Sequence, residues 1–144
     1  VAIIHEECPD NDNDLHINMM LELPCNVVQL EDYADIFSGF SIGSNDLAML
    51  NTGTDRDSGL LQSLYPEIDE ATKLLIGSAI QRAKKVGTTI GICGEAATEA
   101  ELLKELLSCG VDYISCSPVS VVKTMRNIYA INGRSRTPLA QISP

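Results

Sequence analysis

Four short apolar runs, each closed by polar or glycine-rich residues and each followed by a stretch with helical spacing, limit how this chain folds. The runs are Ile17–Leu23, Phe37–Asp46, Thr88–Glu95 and Val111–Cys116. Parallel strands need a crossover between them, and a helix supplies it. Regular strand–helix alternation with short turns therefore predicts a parallel sheet covered by helices. Two architectures fit that order: an open doubly wound sheet, or part of a (β/α)8 barrel.

The helices are read from apolar spacing and from punctuation. Asn26 is expected to cap a helix carrying Val27, Leu30, Ala34 and Phe37 on one face. Leu47–Leu50 fits one helical turn. Pro66 is expected to open a long helix with Leu75, Ala79, Ala83 and Val86 inward, ended by Gly87. Thr98 and Glu101 fit a capping box before the stripe Leu102, Leu103, Leu106 and Leu107, which Gly110 stops. Ser117-Pro118 is expected to start the last helix, with Val121, Val122, Met125, Ile128 and Tyr129 inward and Asn132-Gly133 at its end. Upstream, Val1, Ile4 and Cys8 share a helical face that Pro9 and the acidic run Asp10–Asp14 interrupt. The expected organisation is a helix end and acidic loop over 1–14, the repeated units over 15–133 and a tail over 134–144. A chain that opens Val1-Ala2-Ile3 without Met is expected to be a piece of something longer.

Parallel sheets carry their chemistry at the carboxyl ends of strands. Here those ends hold Glu22, then Asn45 and Asp46, then Cys93, then Ser115 and Cys116. A carboxylate such as Glu22 in a buried strand is costly unless paired, exposed or bound to metal. Gly43 and Ser44 let backbone approach a ligand closely. Asn45 and Asp46 fit either a site for a hard cation beside an anionic substrate, or a helix N-cap. Arg56 fits either a surface pair with Asp55 or Asp57, or a fork on phosphate oxygens.

Composition narrows the partners. A net charge of −10 points away from nucleic acid and from anionic membrane surfaces. The five cysteines are scattered, odd in number and without a C-x-x-C pair, which suggests reduced thiols in a cytoplasmic protein. Cys8, Cys25, Cys109 and Cys116 are expected to be buried small hydrophobes. His5 and His16 are read as surface or loop residues.

Four motifs, in order, carry a resemblance. Met20-Leu21-Glu22-Leu23-Pro24, Gly39-Phe40-Ser41-Ile42-Gly43-Ser44-Asn45-Asp46-Leu47, Thr54-Asp55-Arg56-Asp57-Ser58-Gly59 and Gly91-Ile92-Cys93-Gly94-Glu95 resemble the C-terminal barrel of the PEP-utilising enzymes. That family includes phosphoenolpyruvate synthase, pyruvate phosphate dikinase and enzyme I of the sugar phosphotransferase system, and the phrasing here is most like the first. The likeness runs from about Leu15 to Ile131.

The resemblance implies an α/β fold, the second half (strands five to eight) of a PEP/pyruvate-type (β/α)8 barrel. It implies that Glu22 and Asp46 bind Mg²⁺ (or Mn²⁺), that Asn45 and Arg56 hold the phosphoryl end of the substrate, with Gly43 and Ser44 beside them, and that Cys93 is the proton donor to the enolate. Glu95 either orients Cys93 or serves only the local turn. The implied parent converts ATP, pyruvate and water to AMP, PEP and phosphate, with phosphohistidine and ATP-grasp domains outside this chain. The arginines supplied by the family's first half-barrel are also outside it. Alternatives are pyruvate phosphate dikinase or another PEP-utilising phosphotransferase, a metal-enolate barrel lyase, or a non-catalytic PEP- or pyruvate-binding or assembly module. The piece alone is expected to be inactive. Its uncovered sheet edges and its strands Met20, Ile42, Ile90 and Ile114, each with a face to cover, predict a homo-oligomer.

Overall fold

The computed structural model describes residues 4, 6, 15–54 and 68–133 of the chain. The strands β1 (Asn18–Leu21), β2 (Gly39–Gly43), β3 (Thr89–Cys93) and β4 (Tyr113–Ser115) form one sheet in chain order, every pair parallel. Helices α1 (Pro24–Val28) and α2 (Leu30–Ala34) follow β1, and α3 (Ser44–Thr52) and α4 (Glu70–Val86) follow β2. A 3-10 turn (Glu95–Thr98) and α5 (Ala100–Cys109) follow β3, and α6 (Val121–Ile131) follows β4. The expected alternation is therefore present. Of the upstream helix face, Ile4 is helical and exposed; Val1, His5, Cys8, the acidic run, Arg56, Pro66 and the tail lie outside the described residues.

Register explains which strand residues make the core. Leu21 pairs with Ile42, Ile42 with Ile92 and Ile92 with Ile114; Phe40 pairs with Ile90. Alternation puts these on one face, where Leu21, Phe40, Ile42, Ile90 and Ile92 are fully buried against Val27, Leu30, Leu47, Ile76, Ile80 and Leu106 from the helices. The opposite face carries Asn18, Met20, Ser41, Thr89, Gly91, Tyr113 and Ser115. It is smaller and more polar, and Met20 on it stays 41% exposed. Tyr113 lies across this face: its hydroxyl donates to the Phe40 carbonyl at 2.9 Å, and its ring occupies the space a side chain at position 91 would need. Only glycine at 91 leaves room for that ring.

Several helix starts differ from the sequence expectation, for local reasons. Asn26 sits inside α1, where its side-chain oxygen accepts from the Leu23 N–H at 3.3 Å, and the expected single helix is split at Gln29. Phe37 lies beyond both pieces. The long helix α4 begins at Glu70, because the Asp69 carboxylate accepts from the N–H groups of Ala71 (2.7 Å) and Thr72 (3.0 Å). Its buried face uses Ile76 and Ile80 with Ala79 and Ala83, while Val86 is exposed. Gly87 and Gly110 end α4 and α5 in the left-handed conformation, as expected.

Two expected caps are not made. Thr98 donates to the Glu95 carbonyl at 2.8 Å within the 3-10 turn, so it does not cap α5. The last helix begins at Val121, three residues beyond Pro118, after the turn Pro118–Ser120. Its apolar stripe is not inward: Val121, Val122, Met125 and Tyr129 are exposed, and Thr124 is its buried residue. Val121, Met125 and the half-buried Ile128 border, with Leu107, Val111 and Ile114, a groove of about 330 Å³. Among the described residues β4 is at the sheet edge, with a strand neighbour on one side only, which leaves α6 less covered.

Candidate functional site

The carboxyl ends of the strands gather the residues singled out from the sequence. Gly43 pairs with Cys93 and Cys93 with Ser115, all on the open face. Glu22, one residue past β1, joins this level. A Cβ added to Gly43 would lie 2.6 Å from Glu22 Cγ and 2.8 Å from its Oε1. The absence of a side chain at 43 is thus what admits the Glu22 carboxylate.

The turn after β2 becomes α3 directly. Asn45 and Asp46 are the second and third residues of that helix, and neither caps it; Gly43 stands at the N-cap with no side-chain bond. Ser44 is fully buried, and its hydroxyl donates to the Cys93 carbonyl at 2.8 Å. Asn45 Oδ1 is buried and has no hydrogen-bond partner among the described residues. Asp46 is exposed and Glu22 half-buried. The helix N-terminus is a favourable place for negative charge.

Cys93 closes β3. Its thiol is half-buried and donates to the Ile42 carbonyl at 3.4 Å. Gly94 follows at φ 127° and ψ 154°, a region open in practice to glycine alone. A Cβ there would also collide with Ser44 Oγ. Glu95 then turns back toward β4. Its Oε1 accepts from the Ser117 N–H at 3.0 Å and its Oε2 from the Ser120 hydroxyl at 2.7 Å. The Ser120 and Ser117 bonds hold the Glu95 carboxyl below its usual range.

Gly43, Ser44, Asn45, Asp46, Glu22 and Cys93 thus sit on three adjacent strand ends. Arg56 lies outside the described residues. Sequence reasoning missed Ser117 and Ser120 as partners of Glu95; two hydroxyl residues just before a helix were the available signal. Of the other cysteines, Cys8 lies outside the described residues, Cys109 and Cys116 are half-buried and Cys25 is exposed, so the expectation of burial holds in part for Cys109 and Cys116 and fails for Cys25. It falls early in α1, a helix whose buried residues are Asn26 and Val27. His16 is exposed, as expected.

The family described as "PEP-utilising enzyme, PEP-binding domain" matches residues 2–132. The chain belongs to this family. Among curated proteins, the PEP-binding domain is 50% identical over 115 residues to a phosphoenolpyruvate synthase of Aquifex aeolicus, covering 79% of this chain and 13% of that protein. It is 44% identical to the phosphoenolpyruvate synthase of Synechocystis sp. over 81% of this chain and 14% of that one. For the phosphoenolpyruvate synthase of Escherichia coli the values are 43%, 78% and 14%. The chain therefore spans about one-seventh of the length of these relatives.

Proposed function

We propose that this PEP-binding domain is the second half of a (β/α)8 barrel in a longer phosphoenolpyruvate synthase-like phosphotransferase. Its parent makes PEP from pyruvate, ATP and water and carries its phosphohistidine and ATP-grasp units elsewhere. The observation that carries this reading is the level formed by Glu22, Gly43 and Cys93, with Asn45 and Asp46 beside it, on the open face of a sheet whose core lies on the other face. Parallel sheets are normally covered on both faces or closed into a barrel, and a half-barrel leaves its interior face open in this way.

The residues fit a hard divalent cation. Glu22 and Asp46 offer carboxylate oxygens, and Asn45 Oδ1 is a buried oxygen in need of a partner. Among the described residues no group of three or more His, Cys, Asp or Glu forms a metal cluster. Mg²⁺ does not need one, since it commonly takes one or two carboxylates plus substrate oxygens and water. Glu22 and Asp46 would hold Mg²⁺ or Mn²⁺, which supplies Lewis-acid stabilisation of negative charge on a substrate oxygen. Around it, the residues of this chain bind and position pyruvate. Asn45 and the α3 N-terminus face the anionic end, Gly43 and Ser44 let it approach the backbone, and Arg56 pairs with phosphate. As a thiol Cys93 returns a proton to C3 of the enolate, and as a thiolate it removes one from the pyruvate methyl group.

Glu22→Gln and Asp46→Asn in the full-length parent should each raise the Mg²⁺ concentration for half-maximal PEP formation by about tenfold or more, the scale of a lost charge-assisted ligand. A metal titration of the PEP-forming rate checks this, and an unchanged midpoint in both variants rejects the carboxylates as ligands.

For the 144-residue chain on its own we infer a homo-oligomer. Among the described residues, strands β1 and β4 each pair on one side only, and Met20, Val122 (59% exposed) and Tyr129 (44%) present apolar surface. A twofold pairing that rebuilds an eight-stranded barrel, or a swapped sheet, would cover them. Sedimentation at micromolar concentration should show a dimer or larger species, and a folded monomer rejects the inference.

A further inference from the structure

The turn that holds Cys93 is gripped from two sides. On the β2 side, the Ser44 hydroxyl holds the Cys93 carbonyl and packs against Gly94. On the β4 side, the two oxygens of Glu95 reach separate donors, the Ser117 N–H and the Ser120 hydroxyl. Ser117 Oγ in turn donates to Ser120 Oγ at 3.2 Å, so the second grip is a closed set of three residues. Ser120 stands at the N-cap of α6 but makes no side-chain cap there; its hydroxyl serves Glu95 instead. Thr98 donates to the Glu95 carbonyl and ties the same residue to the 3-10 turn behind it.

Glu95 is exposed, and its carboxylate bonds to Ser117 and Ser120, neither of which belongs to the core. Its reach spans the mouths of β3 and β4, two positions beyond the thiol. We propose that Glu95 is a positioning residue for Cys93: its carboxylate locks the Cys93–Gly94 turn to the Ser117–Ser120 loop and so sets where the thiol stands at the site. This rests on the reading of Cys93 as the group that moves a proton at C3. A thiol misplaced by an ångström loses much of its rate while substrate binding, made by other residues, persists.

The test uses the full-length parent with Glu95→Ala and Glu95→Gln. Gln keeps the span, since its amide oxygen accepts from Ser117 N–H and its amide nitrogen donates to Ser120 Oγ. Two readouts are taken: the alkylation rate of Cys93 by iodoacetamide, followed by peptide mass, and kcat with KM for pyruvate. Glu95→Ala is expected to alkylate several-fold faster at Cys93, with Cys109 unchanged. Its kcat should fall at least about tenfold with KM within about twofold, and Glu95→Gln should recover most of both. Wild-type alkylation in Glu95→Ala overturns the proposal. So does a Glu95→Gln variant as impaired as Glu95→Ala, which would assign the effect to charge, and so does a rise in KM at constant kcat. If Glu95→Ala exposes every thiol and so unfolds, Glu95→Asp, too short to span both serines, takes its place against the same expectations. A wild-type parent that makes no PEP would remove the functional reading and leave the alkylation arm to decide the grip.

Discussion

Cys93→Ala in the full-length parent should abolish exchange of the pyruvate methyl protons and formation of PEP, while nucleotide-dependent phosphorylation of the distant histidine survives. The substitution removes one sulfur and adds no bulk. Its structural cost is confined to a weak S–H bond to the Ile42 carbonyl, 3.4 Å long. The chemical cost is larger, because a positioned acid or base contributes on the order of 10²–10⁴ in rate. The sulfur is well placed for that role: it stands on the open face, at the same level as Gly43 and Ser115. The separation of the two half-reactions is the informative part. Under the proposed function, proton exchange would need the pyruvate site, whereas histidine phosphorylation would need the phosphohistidine and ATP-grasp units of the parent and not this domain. Following methyl exchange by NMR and histidine phosphorylation by mass distinguishes them, and unchanged PEP formation would rule out the thiol.

Gly94→Ala is expected to be the most damaging single-methyl substitution near the site. The backbone at φ 127°, ψ 154° costs any other residue about 1–3 kcal/mol. The new Cβ would also run into Ser44 Oγ, a buried group that cannot retreat to solvent. Relief requires the turn to swing away from α3, which breaks the Ser44 hydroxyl bond to the Cys93 carbonyl. The outcome should be a lower unfolding midpoint together with a PEP-forming rate reduced by about 10²-fold, the cost of an ångström-scale misplacement. Ser44→Ala removes the collision but leaves the backbone strain. The double variant should therefore recover part of the stability lost in Gly94→Ala, and a double-mutant cycle in urea measures that coupling. Full activity and a wild-type midpoint in Gly94→Ala would show that the turn is not held as described.

The positions where the structure departed from the sequence reading have separate causes. Thr98 could cap α5 or bond within its own turn, and local chemistry allows both; the 3-10 turn set by Ala96 and Ala97 against the core decides for the second. The α6 stripe has the spacing of a buried helix, yet spacing says only that a face is apolar, not that anything lies over it. Asn26 has the chemistry of an N-cap and acts from inside the helix, because Pro24 had already fixed the start.

What the sequence by itself determined was the alternation, the parallel order it demands and the polar character of each strand's carboxyl end. These depend on period-two and helical spacing and on short-range punctuation, which a single chain displays without reference to distant residues. The tertiary structure alone decided which strand face meets the helices, that Tyr113 fills the space over Gly91, that Glu22 lies on Gly43 and that Glu95 reaches Ser117 and Ser120. Each of these joins residues from different strand units and depends on register, where a slip of one residue would carry every side chain to the opposite face.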